Sequence, residues 1–209
     1  MRKSLYFFAL VMSLLSAYNS YSQANIFNPA DPDVIFTATT QPATPPYTNN
    51  MLKWGHTSRL SWNPYTVGYK SYYFQGMAFR LKFPKTYQHN VVDGKKYPLY
   101  IFFHGLGEKG DIFDNEYQLL HGGQLHAQNV DNGNFDGFLF YAQSSSGNSQ
   151  DYEARISNLI DSLTKYVKVD IDRVIVSGLS AGGASAWDIL SNDTYNKKIC
   201  AAIPSQPLR

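Results

Sequence analysis

A single cysteine, Cys200, stands among 209 residues, so no disulfide can form within the chain and its stability has to come from core burial. Charged residues make up only 16% against 44% hydrophobic, which excludes a disordered or fibrous chain and indicates a folded domain with a sizeable core. The net charge is +2, too small for a basic field that would hold nucleic acid or anionic lipid. There is no internal repeat and no long run of like charge. Long apolar runs are missing as well. The one near the N-terminus, Leu5 to Leu15, has 11 residues, where a bilayer-spanning helix needs about 20.

That short run fits a different purpose. Arg2 and Lys3 precede it and the small-x-small stretch Ser20-Tyr21-Ser22 follows, as in a secretory signal peptide cut after Ser22. Residues 1–22 are therefore expected to be removed, leaving a secreted or periplasmic chain without a membrane anchor and with a charge near zero. Residues 23–70 read as an extended arm, because Pro29, Pro32, Pro42, Pro45 and Pro46 interrupt any helix or inner strand. Residues 71–209 carry the folded domain.

Regular structure is expected from about Tyr72. Met77, Phe79, Leu81 and Phe83 alternate with Ala78, Arg80 and Lys82, the period of two that marks a half-buried strand, and Pro84 stops it. Pro98 to Phe103 is a continuous apolar run, suited to a strand covered on both faces. Phe138–Tyr141 repeats that signature. Between Asp151 and Lys168, Ile156, Leu159, Ile160, Leu163 and Val167 fall on one helical face. Arg173–Val176 reads as a further strand, Ala181–Leu190 as a helix, and Ala201–Ile203 as the start of another strand. Strands alternating with helices predict an α/β fold: a mostly parallel sheet with right-handed crossovers and helices on both faces.

Two glycine motifs each follow a buried strand. Gly178-Leu179-Ser180-Ala181-Gly182-Gly183 lies between a strand and a helix, the context of a nucleophile elbow. There the serine is held in a strained turn, and its neighbours lack side chains so that strand and helix can approach. Its hydroxyl then stands at a helix N-terminus, where free amides favour developing negative charge. His104-Gly105-Leu106-Gly107-Glu108-Lys109-Gly110 is the second motif. An acyl-transfer site needs two backbone donors for its oxyanion, and the amides of Ala181 and Leu106 are the candidates. Ser180 is the candidate nucleophile, with Gly105, Gly107, Gly178, Gly182, Gly183 and His104 in support.

Together with Gln143 after a strand and Asp170-Ile171-Asp172-Arg173 before the elbow, these motifs resemble secreted esterases of the α/β-hydrolase superfamily. The branch they resemble groups polyhydroxybutyrate depolymerases, feruloyl and acetyl xylan esterases, and sequences called predicted peptidases. The resemblance runs from about Tyr72 to Pro204. It implies a serine hydrolase that needs no cofactor and acts on small or polymeric esters, with Gln143 near the substrate. Ala142 departs from the pattern, standing where a proline usually precedes the glutamine.

One absence weighs on this reading. In this fold the triad acid and histidine follow the serine, yet the 29 residues after Ser180 contain no histidine. His56, His89, His104, His121 and His126 all precede it, and Asp188 and Asp193 lie on or just after its own helix. The chain is thus expected to be a C-terminally truncated hydrolase, inactive as it stands for want of a base. His121 and His126 are five apart, poor spacing for one helical face, so no metal site is expected. Two alternatives remain at this point: a peptidase on the same scaffold, and a non-catalytic glycan-binding protein presenting Tyr65, Tyr69, Tyr72 and Tyr73.

Overall fold

A computed structural model describes residues 27–30, 60–64, 66–111, 116–147 and 153–206. The expected signal peptide, most of the arm, His56 and Asp151 lie outside the described residues. Six strands form one sheet in the order β1-β2-β4-β3-β5-β6: β1 is Tyr69–Phe74, β2 Met77–Lys82, β3 Tyr97–Phe103, β4 Phe138–Ala142, β5 Val169–Leu179 and β6 Ala201–Ser205. The pairs β4–β3, β3–β5 and β5–β6 are parallel; β1–β2 and β2–β4 are antiparallel. Helix α1 is Gly123–Asp131, α2 Glu153–Tyr166 and α3 Ala181–Ser191. None of these helices is long and apolar enough to cross a membrane.

The strand pattern explains the layering. On β3, Leu99, Ile101 and Phe103 enter a core shared with Ile156, Leu159, Ile160 and Leu163 of α2 and Ala186 and Ile189 of α3. Phe102 on the same strand faces the opposite side, with Leu139, Tyr141 and Ala127 and Val130 of α1. Helices therefore cover both faces, as expected. Both helices that flank β5 in sequence lie on one face.

Strand β2 corrects the reading from alternation, because all six of its residues are buried. Arg80 is fully buried and donates from Nη1 to Ser71 Oγ. Lys82 pairs with Asp131 at the end of α1, 2.8 Å away, and donates to the Val67 carbonyl. Long charged side chains bury their stems once their heads find partners, so the polar positions became a second covered face. The sheet also starts earlier than Tyr72, at Tyr69. Gln75 and Gly76 join β1 to β2 with φ of 48° and 85°, the two positive values of a type I′ hairpin.

Phe27 joins this core from outside the sheet. It is 1% exposed and meets Tyr72 edge-on at 5.0 Å between ring centroids. Strand β6 closes the described sheet at its other end, paired only with β5, with Ile203 54% exposed.

Candidate active site

Strand β5 ends at Leu179 and α3 begins at Ala181, so a single residue makes the reversal. Ser180 adopts φ 56°, ψ −117°, a left-handed value that strains any residue with a Cβ. The surrounding glycines show why so sharp a turn fits. A methyl on Gly178 would stand 2.2 Å from the Gly182 carbonyl oxygen. One on Gly182 would stand 2.0 Å from the Phe103 carbonyl oxygen, and one on Gly183 2.6 Å from that of Ser205. Each distance is far inside van der Waals contact, so β3, β5, β6 and α3 meet backbone to backbone. The Ser180 amide donates to the Ser205 carbonyl at 2.9 Å, and Ala184 N–H donates to the Ser180 carbonyl at 3.1 Å.

The second motif lands beside the first, because Phe103 of β3 pairs with Gly178 of β5. A β-carbon on Gly105 would lie 3.7 Å from Ser180 Cβ and 3.4 Å from the Leu179 carbonyl oxygen. Leu106–Glu108 then form a 3₁₀ turn, with Leu106 half exposed. Ala181 and Leu106 each open a helical segment, and a leading amide has no acceptor within its own turn. Ala181 follows Ser180 directly at the start of α3, and Leu106 follows Gly105, whose added β-carbon would meet Ser180. Gly107 is open on all sides, with nothing within 4 Å of a β-carbon placed there.

His104 faces inward. Its Nε2 accepts the Ser144 amide at 2.9 Å, so the proton sits on Nδ1 and is donated to the Gly105 carbonyl 2.7 Å away. Burial pushes the imidazole below the usual histidine value. A neutral ring with both nitrogens engaged holds the loop in shape and has no lone pair left for Ser180. Gln143, read from the resemblance as substrate-binding, is also turned inward: its amide nitrogen donates to the Glu108 and Ser144 carbonyls at 2.9 and 3.1 Å. Only its Oε1, buried and without a partner, remains for any other contact.

The other described histidines have partners of their own. His89 Nδ1 lies 3.0 Å from the Tyr87 hydroxyl, and His126 Nδ1 bonds to that of Tyr141. His121 Nδ1 is 3.2 Å from Glu108 Oε1. Asp188 and Asp193 are exposed on and just beyond α3. Among the described residues no three His, Cys, Asp or Glu side chains are grouped to hold a metal ion. Of the tyrosines considered for glycan binding, Tyr69 and Tyr72 are buried in the core and do not present a surface. A cavity of about 310 Å³ lies between α1 and the sheet, lined by Tyr100, His126 and Phe135 among others, none of them at the elbow.

A serine strained between strand and helix, flanked by a glycine loop from the neighbouring strand, is the arrangement the sheet order builds. The fold is that of the α/β hydrolases. No protein-family model and no curated protein matches the sequence. Solved structures do. A thermostable esterase is 27% identical over 61% of this chain and 36% of its own, with a TM-score of 0.50. An acetyl xylan esterase from Aspergillus awamori is 18% identical over 60% of this chain and 45% of its own (TM-score 0.43). A fluorophosphonate-binding serine hydrolase of Staphylococcus aureus is 13% identical over 77% and 58% (TM-score 0.47). The chain spans about a third of the length of the thermostable esterase.

Proposed function

We propose that the chain carries the nucleophile and oxyanion donors of a secreted serine hydrolase that cleaves carboxylic esters, on small molecules or on a polysaccharide or polyester. The observation that carries this reading is Ser180 at φ 56° with the Gly105 backbone against its Cβ. In this reading Ser180 Oγ attacks the ester carbonyl carbon while its proton passes to a base. The amides of Ala181 and Leu106 hold the oxyanion. The alcohol leaves with a proton, and water releases the acyl group from Ser180. The leader sequence supports export, and the likeness to a thermostable esterase supports ester over amide cleavage.

Three of the described histidines are already committed: His104 is locked in its neutral form, and His89 and His126 bond to tyrosine hydroxyls. In this reading the chain as given is a weak catalyst, expected about a million-fold below a complete triad. Oxyanion donors alone still leave roughly 10³–10⁴ over the uncatalysed rate. Long exposure to a fluorophosphonate followed by peptide mass mapping should find the adduct on Ser180 ahead of every other serine, and none there in Ser180→Ala. Labelling spread evenly over surface serines would overturn the assignment. Brisk p-nitrophenyl acetate turnover abolished by Ser180→Ala would instead show that a base is present.

A further inference from the structure

Glu108 folds a carboxylate beneath the loop that offers the Leu106 amide. It ends the 3₁₀ turn Leu106–Glu108 and is only 6% exposed. Its Oε1 lies 3.2 Å from His121 Nδ1, while Oε2 is buried with no hydrogen-bond partner. A β-carbon on Gly105 would be 2.8 Å from that Oε2 and 3.7 Å from Ser180 Cβ, so the carboxylate stands within about 6.5 Å of the nucleophile's Cβ. Gly105 is thus pinched between the elbow and Glu108.

Two further contacts of the loop run to the segment after β4: Gly110 N–H to the Ser144 carbonyl, and Gln143 Nε2 to the Glu108 carbonyl. The Glu108 side chain instead ties the loop to the segment entering α1. His121 is half exposed and follows the 3₁₀ turn Tyr117–Leu119. Burying a carboxylate disfavours folding unless it is paired, so a Glu held here beside the proposed oxyanion donors calls for a reason.

We infer that Glu108 is a positioning residue: its carboxylate, held by His121, sets where the Leu106 amide stands relative to Ser180 Oγ. The inference rests on the reading of Ser180 and Leu106 given above. A hydrogen bond to an ionised carboxylate is shorter and roughly twice as strong as one between neutral groups, so the Glu108–His121 pair can hold the loop against the segment entering α1. Other ionisable groups face the same space. His104 lies on the loop and feels the Glu108 charge, Lys109 is next in sequence, and Glu116 is buried at the start of the segment that carries His121. Substituting His121 alone separates its contribution from theirs.

The test compares backbone amide NMR spectra of the parent chain with those of Glu108→Gln, His121→Gln and the double variant. The Leu106 and Gly107 amide resonances should move in each single variant, and no further in the double variant. His121→Gln serves as the second variant if Glu108→Gln does not fold. Fluorophosphonate labelling of Ser180 should slow about tenfold in both variants, within what misplacing one oxyanion donor costs. Leu106 and Gly107 amides that stay in place in His121→Gln overturn the inference. If those amides do move while Ser180 of the parent chain labels no faster than other serines, the positioning stands and the hydrolase reading falls.

Discussion

Replacing Gly182 by alanine puts a methyl carbon 2.0 Å from the Phe103 carbonyl oxygen and 2.6 Å from that of His104. Both obstacles are backbone atoms of the β3 strand and its loop, so no rotamer change relieves them. Restoring ordinary contact needs a separation of more than 1 Å between α3 and β3, across a core packed at crystal-like density. Overpacking of this kind costs about 1–3 kcal/mol and sometimes more. The gain in helix propensity from Gly to Ala is about 1 kcal/mol in the other direction. With the clash at the severe end, the net loss should be about 2 kcal/mol or more, which is at least roughly 4–8 °C in melting temperature for a domain of this size. Gly107 is the matched control. It lies in the same site with open space around it and should accept alanine within about 0.5 kcal/mol. Thermal melts of Gly182→Ala and Gly107→Ala beside the parent chain decide the matter. Equal melting temperatures in the two variants would refute the close approach of α3 to β3 and with it the built elbow.

Ser180→Gly should raise stability by about 1 kcal/mol in urea unfolding, because glycine relieves the left-handed φ, whereas Ser180→Ala should not. His104 and His126 are both held below the usual histidine value by burial, so the unfolded chain takes up protons that the folded chain refuses. Stability should be flat above about pH 7 and fall as pH drops through about 6.5. The slope in unfolding free energy against pH should shrink in His104→Gln, and an unchanged slope would count against the buried neutral ring. Phe27→Ala should cost about 3 kcal/mol in the same unfolding assay, since the ring is 1% exposed against Tyr72 and Phe79. A loss below 1 kcal/mol would show that Phe27 does not dock there.

The elements legible in the sequence were those whose signal is local. The apolar runs at Pro98–Phe103 and Phe138–Tyr141 had only one use, as buried parallel strands, and Ile156, Leu159, Ile160 and Leu163 of α2 fix its face by spacing alone. The elbow was legible because its glycines answer to a close backbone approach that no other residue tolerates. Helix α1 was missed: its Gly-Gly start and polar composition carry little periodicity, and only Gly123, Ala127 and Val130 are buried. Strand β1 was placed late because its turn is Gln75-Gly76 rather than the stronger Asn-Gly signal. Nothing in the sequence marks Glu108 as buried. Its burial depends on His121, 13 residues away and without a motif of its own. The inward turn of Gln143 was equally invisible, since it is decided by carbonyls on the loop it meets.

The reversal at Ser180 is braced from outside the middle of the sheet. The Ser205 carbonyl, near the rim, receives the Ser180 amide, and Gly183 leaves room for that same oxygen; Ser177 Oγ reaches across to the Ile203 carbonyl. A peripheral strand thus props a strained residue at the centre of the site. Whatever tugs on β6, whether a new neighbour along its outer side or a substitution at Ile203, reaches the serine through these contacts, so reactivity at the centre becomes a gauge of order at the margin.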